Sequence, residues 1–350
     1  MKRHCFTLIF AAAILLPVSC RAAAVVDSLD VSALKEAVPL SAEVLDYTSD
    51  GFENAVYVYD DSLVLAVNMA DGVKCRDILE IIDLRDTSER QSFLGFGHEE
   101  GKFFYVQSFL RGDRLIVFDI VKKLLLVSDL RESGNPGFAD PSSAVGVGYV
   151  AQDMAEYSDR LVLVNPRYFE GGRGRSNRQP RLVFTDAAFQ WDTPSAGYFS
   201  ANVTQGFVVA EAGRDRILFF DANSSTIEVY SGKLASPLKV LRGPDLAMPS
   251  YRFMTAPDGT VTVYHETKPE SGYVRAVADS SRVIAAYRYG EEPQGDFLIL
   301  FDWDGNLLGA YRTSVRVETL SLSRDGKRLY VWEDSGKEDV PPRLLRYALP

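Results

Sequence analysis

Cysteine is nearly absent from this chain. Three occur in 350 residues, and two of them, Cys5 and Cys20, stand close to the start. So few thiols leave no disulfide framework and no Cys-x-x-Cys metal or redox motif. Histidine is as scarce, with His4, His98 and His265 alone, and no His-x-x-x-His spacing exists. The Cys-x-x-Cys-His of haem attachment and the Gly-x-Ser-x-Gly of a nucleophile elbow are missing too. Three tryptophans, Trp191, Trp303 and Trp332, are too few for the docking positions of a quinone-cofactor propeller. Basic charge is in deficit. The formal net charge of −10 argues against nucleic acid as the main partner, because phosphate binding wants a basic surface. No apolar run is long enough to cross a bilayer. No amphipathic helix of ordinary length follows residue 40.

What is present is a repeat. The octet DRILFFDA at Asp215–Ala222 returns, loosely, at Asp77 (DILEIIDL), Asp113 (DRLIVFDI), Pro180 (PRLVFTDA), Asp296 (DFLILFDW) and Pro342 (PRLLRYAL). Each copy opens with Asp or Pro, runs through an apolar stretch and, except the last, carries Asp at the seventh place. Four to six apolar residues between turn formers read as a strand buried on both faces, too short for a helix. Such a unit cannot bury its own faces, so neighbours must stack on it. The irregular period of about 50 residues is near one four-stranded propeller blade. The Asp113 copy fits one strand earlier in its blade, with Leu124 to Val127 as its equivalent, and the wide gap after Asp215 leaves room for a seventh blade.

The last copy ends at Leu349, so no outer strand can follow it in the chain. A bare sheet edge invites aggregation. The strand-like segment Val38 to Tyr47 (VPLSAEVLDY) has no blade of its own, and we expect it to supply the missing strand and lock the ring. The expected class is all-β: one six-bladed propeller over residues 25–350. Its blades are expected near 55–93, 103–130, 148–184, 198–241, 251–313 and 317–349.

Residues 1–24 read as an export signal. Lys2 and Arg3 precede an apolar core from Phe6 to Leu16. Leu16-Pro17-Val18-Ser19-Cys20 resembles a lipobox, with Cys20 as the lipidated residue and a leader ending at 19. Ala22-Ala23-Ala24 offers an ordinary cleavage site after 24 instead. The expected address is the cell envelope. It is either an outer-membrane lipoprotein facing the periplasm, with the membrane reached only through Cys20, or a soluble periplasmic protein.

Three stretches together, LGFGHEEGKF (94–103), LILFDWDGNLLGAYRT (298–313) and LSLSRDGKRLYVWED (320–334), resemble the TolB-like six-bladed β-propeller lipoproteins of Bacteroides-type bacteria. Gly95, Gly97, Glu100 and Phe103 match the family's G-R-G-P-G-E-F loop. His98 stands where the family has Pro, and extra residues separate the Glu from the Phe. The resemblance implies fold and compartment; it implies no activity.

Two stretches depart from the scaffold pattern. The loop Gly95 to Phe103 offers His98, Glu99 and Glu100 on a Gly-rich backbone, or else is a plain turn in which Glu100 accepts backbone N–H groups. The insertion from Glu170 to Arg181 carries Arg173 and Arg175, suited to carboxylate or phosphate, or else is a solvated loop. The expected function is non-enzymatic binding of an envelope protein or glycan-like ligand. Two alternatives stand beside it: a channel-centred metal-assisted hydrolase or lyase of the propeller lactonase type, and a structural subunit of an envelope complex. No cofactor is indicated. A channel Ca ion would need Asp and Asn from separate blades, which linear sequence cannot align.

Overall fold

The computed structural model describes residues 24–29, 32–47, 53–68, 77–131, 138–165, 167–168, 179–190, 196–199, 205–245, 250–255, 257, 261–267, 271–290, 295–333 and 341–350. Six antiparallel sheets, each ordered A to D from the axis outward, form a six-bladed β-propeller. Blade one is Glu53–Tyr59, Leu63–Asn68, Leu79–Asp83 and Asp86–Leu94. The other inner A strands are Val106–Arg111, Asp153–Tyr157, Gly206–Glu211, Gly272–Ala278 and Thr319–Leu322. Among the described residues the only α-helix is Ser32–Lys35.

The blades hold together through six apolar clusters, one at each junction. Leu65, Leu79, Leu115 and Val117 pack between blades one and two. Val56, Val64, Tyr330 and Trp332 close blade six onto blade one. A strand buried on both faces has no polar side to alternate with, which is why the octets read as unbroken apolar runs.

The octets do not all occupy one place. Those at 77, 180, 296 and 342 form third strands, while those at 113 and 215 form second strands: Arg114–Asp119 and Arg216–Asp221. That alternation produces the irregular spacing. The wide gap after 215 holds the rest of blade four, the first two strands of blade five and a hairpin, Ser250–Thr255 with Val261–Thr267, that lies outside the blades. The seventh blade is not there. Blade five therefore starts at Gly272, not near Tyr251, and blade four at Gly206, because Ala196–Phe199 is the outer strand of blade three.

The seventh-place Asp shares one role throughout. Asp83, Asp119, Asp186, Asp221 and Asp302 each accept the backbone N–H two residues on, at 2.9 to 3.0 Å. A side-chain oxygen so placed mimics a backbone turn and stops the strand where the chain must reverse.

Ring closure uses more of the N-terminal segment than Val38 to Tyr47. Ala42–Val44 pairs antiparallel with the last strand, Arg343–Ala348, as the expected outer strand of blade six. Val38–Pro39 also pairs, in parallel, with the outer strand of blade five, Leu307–Arg312, and Val25–Ser28 with that of blade four, Lys239–Arg242. The segment is a belt across three blades. Leu29 and Leu34 plug it into the cluster between blades four and five. Gly243, at φ +115, lets the belt pass, since a Cβ there would sit 2.3 Å from the carbonyl oxygen of Leu29.

Candidate functional site

Each A strand runs along the axis, so its two ends build the two mouths of a central channel. The mouth where A strands begin opens into a cavity of about 850 Å³. The mouth where they end holds about 420 Å³. Arg111 lines both and marks the waist.

At the waist, Nη2 of Arg111 donates to both oxygens of Asp153, at 3.0 and 3.2 Å. Asp153 also accepts the Val208 N–H at 2.7 Å, so one carboxylate ties blades two, three and four. Burial raises its pKa, while Arg111, two backbone N–H groups and Arg275 oppose the rise. Tyr57 crosses from blade one, donating to the carbonyl oxygen of Ser108 at 2.7 Å; burial raises its pKa.

Among the described residues, four arginines line the larger cavity, Arg111, Arg275, Arg288 and Arg316, against the single carboxylate Asp153. Arg111 is spent on Asp153. Arg288 is spent on Asp296, with two bonds of 3.0 and 3.1 Å, and on Glu318. Among the described residues, Arg275 acts on Asp153 only at longer range and donates one hydrogen bond, to the Val274 carbonyl at 3.1 Å, while Arg316 has no hydrogen-bond or ion-pair partner. Two further atoms are buried without partners: Oε1 of Gln107 and Nε of Arg111.

The smaller mouth is the opposite in sign. Asp60, Asp113, Glu156, Glu211 and Asp279 line it with Arg111 and Arg324. These groups serve the fold. Asp113 accepts from Tyr59 at 3.0 Å and from Arg324 at 2.8 Å. Burial, then the Asp113 bond, pushes Tyr59 up to about 12. Glu211 accepts from the Gly213 N–H at 3.0 Å. No three His, Cys, Asp or Glu side chains come together as a metal group among the described residues.

The loop 95–103 joins the outer strand of blade one to the inner strand of blade two, which sets it on the basic face. His98, Glu99 and Glu100 are all exposed there and do not line the cavity. The His98 ring stacks on Phe104 with centroids 4.3 Å apart. Glu99 pairs with Lys102 at 3.7 Å. Glu100 accepts no backbone N–H among the described residues; that work falls to buried Asp119, which takes the Phe104 N–H at 2.6 Å. Lys122 adds bonds to the carbonyl oxygens of Glu99 and Lys102, at 3.0 and 2.6 Å. Arg173, Arg175 and Cys20 lie outside the described residues.

The residues that sequence reasoning missed are Gln107, Arg111, Asp153, Arg275 and Arg316. One signal was available. Gln107, Gln152 and Gln205 stand at or just before the start of three consecutive inner strands, where a blade otherwise wants apolar residues.

No family model and no curated protein match the chain. Solved structures do. A member of the DUF4221 family from Bacteroides vulgatus superposes with a TM-score of 0.52 at 10% identity, covering 89% of this chain and 97% of that one. A Bacteroides fragilis protein described as exported gives 0.50 at 10% identity, covering 93% and 99%. At such identity the likeness shows the fold alone. No helix among the described residues is long and apolar enough to cross a membrane.

Proposed function

We propose that this chain is an exported cell-envelope propeller that binds a small polar ligand in the basic mouth of its channel, without turning it over. The carrying observation is the cavity of about 850 Å³, in which, among the described residues, four arginines face one carboxylate. Concave sites with a few convergent polar groups on a rigid frame are where ligands bind. Binding without turnover is favoured because the one carboxylate that lines the cavity among the described residues, Asp153, is committed to Arg111 and the Val208 N–H. The exposed loop with His98, Glu99 and Glu100 sits on the same face and gives a partner protein a second contact. The export signal and the resemblance to TolB-like lipoproteins support an outer-membrane anchor at Cys20.

Gln205 is exposed at the rim, so Gln205→Trp narrows the cavity without touching a blade core. Small molecules extracted from a bacterial envelope should raise the melting temperature of the wild type, because a ligand that binds only the folded state stabilises it. The rise should vanish in Gln205→Trp. Equal shifts in both proteins, or none in either, overturn the cavity as the site.

A further inference from the structure

We infer that the ligand is an anionic, hydroxyl-rich molecule of sugar size, a sugar acid or a sugar phosphate, whose negative group is held by Arg275 and Arg316. This rests on the cavity reading above and names the chemistry it would take. Once Arg111 and Arg288 are paired, two guanidinium groups remain in the cavity, and neither makes an ion pair among the described residues. That excess stands inside a chain of net charge −10, so the mouth is where an anion is drawn and other surfaces repel it.

Both arginines are set by the backbone. The ladder of blade five shifts register between Tyr273 and Arg275, a bulge in an inner strand, and bulges re-aim the side chain they carry. Arg316 sits between two residues pinned to one buried acid. The Asp296 N–H donates to the Val315 carbonyl at 3.1 Å, and the Val317 N–H donates to Asp296 Oδ2 at 2.8 Å. Asp296 is 1% exposed and braced by Arg288. The planar fork of a guanidinium matches a planar or tetrahedral oxyanion with two parallel hydrogen bonds.

The rest of the wall suits hydroxyl groups. Asn54 and Gln205, both exposed at the rim, bring carboxamides, each both donor and acceptor, as a hydroxyl needs. Tyr57 and Phe207 offer the apolar faces against which a sugar ring packs.

The test is isothermal titration, backed by saturation-transfer NMR, with glucuronate, glucose 6-phosphate and glucose. The proteins are the wild type, Arg275→Gln, Arg316→Gln and Gln205→Trp. Circular dichroism and melting curves confirm that each variant is folded. The expected result is that at least one anionic sugar binds ten-fold or more tightly than glucose. Either arginine substitution should weaken that sugar ten-fold or more and leave glucose unchanged, and added salt should weaken it as well. Glucuronate and glucose 6-phosphate separate the carboxylate from the phosphate source. If all three sugars bind alike, lose affinity in Gln205→Trp and keep it in both arginine variants, the charge assignment is wrong and the cavity stands. If no sugar binds the wild type, the inference falls. The envelope-extract melt then decides separately whether the cavity binds anything else.

Discussion

The belt is the cheapest part of the fold to attack and the one whose loss is easiest to compute. Leu34 is 6% exposed and lies in the cluster between blades four and five beside Leu29, Phe301 and Trp303. Leu34→Ala removes three carbons. At about 0.8 kcal/mol per buried methylene, with a term for the cavity left behind, the loss should be about 3 kcal/mol. In a domain of this size that lowers the melting temperature by roughly 5 °C. Gly243→Ala tests the same contact from the other side. Its new Cβ would meet the Leu29 carbonyl oxygen at 2.3 Å, on a backbone at φ +115 that disfavours any side chain, so the belt must lift. Val38→Ala is the control, since Val38 is 56% exposed, and it should stay within about 0.5 kcal/mol. Urea unfolding followed by fluorescence, with calorimetry alongside, reads all three. Removing residues 24–47 altogether should also bare the edge of Arg343–Ala348 and produce oligomers on a sizing column. If Leu34→Ala and Gly243→Ala both match the wild type within 0.5 kcal/mol, the belt is ornament and closure must come from elsewhere.

Other substitutions probe the frame. Asp296→Ala strips Arg288 of its buried partner and leaves the Val317 N–H unpaired, so unfolding should become easier by about 3–5 kcal/mol, with Asp296→Asn intermediate; chemical denaturation showing less than 1 kcal/mol would contradict the clamp. Burial pushes Asp221 up to about 6, against the Asn223 N–H and Arg181. Between its ordinary value and about 6 the folded chain keeps a proton that the unfolded chain has lost, so stability falls as pH rises through that window. Asp221→Asn should flatten that slope and stabilise the protein at pH 7 by on the order of 2 kcal/mol; melts from pH 4 to 7 that keep the slope remove the assignment. Fatty-acid labelling should mark the wild type and not Cys20→Ala, and absence of label in both would refute the lipid anchor.

The class of the fold was legible in the chain because burial on both faces leaves a local mark. An octet such as Asp215–Ala222 shows its apolar run and its seventh-place Asp whatever surrounds it. The outer strand that Ala42–Val44 lends to blade six was in part legible too, as a strand-like segment with no blade of its own. Register was less so. Octets at 113 and 215 look like those at 77 and 296, yet build second rather than third strands, because both positions meet the same burial and differ only in their partners. The reach of the belt was hidden for the same reason: Val25–Ser28 and Val38–Pro39 are short and exposed, and only the waiting edges of blades four and five make them strands. The cavity lay furthest from view. Arg111 ends an inner strand, Asp153 begins one, Arg275 sits within another, and Arg316 lies in the link from blade five to blade six. Their charges become a site when the ring closes. Which cations are answered and which are left over depends on distances across the channel, and those exist only in the folded protein.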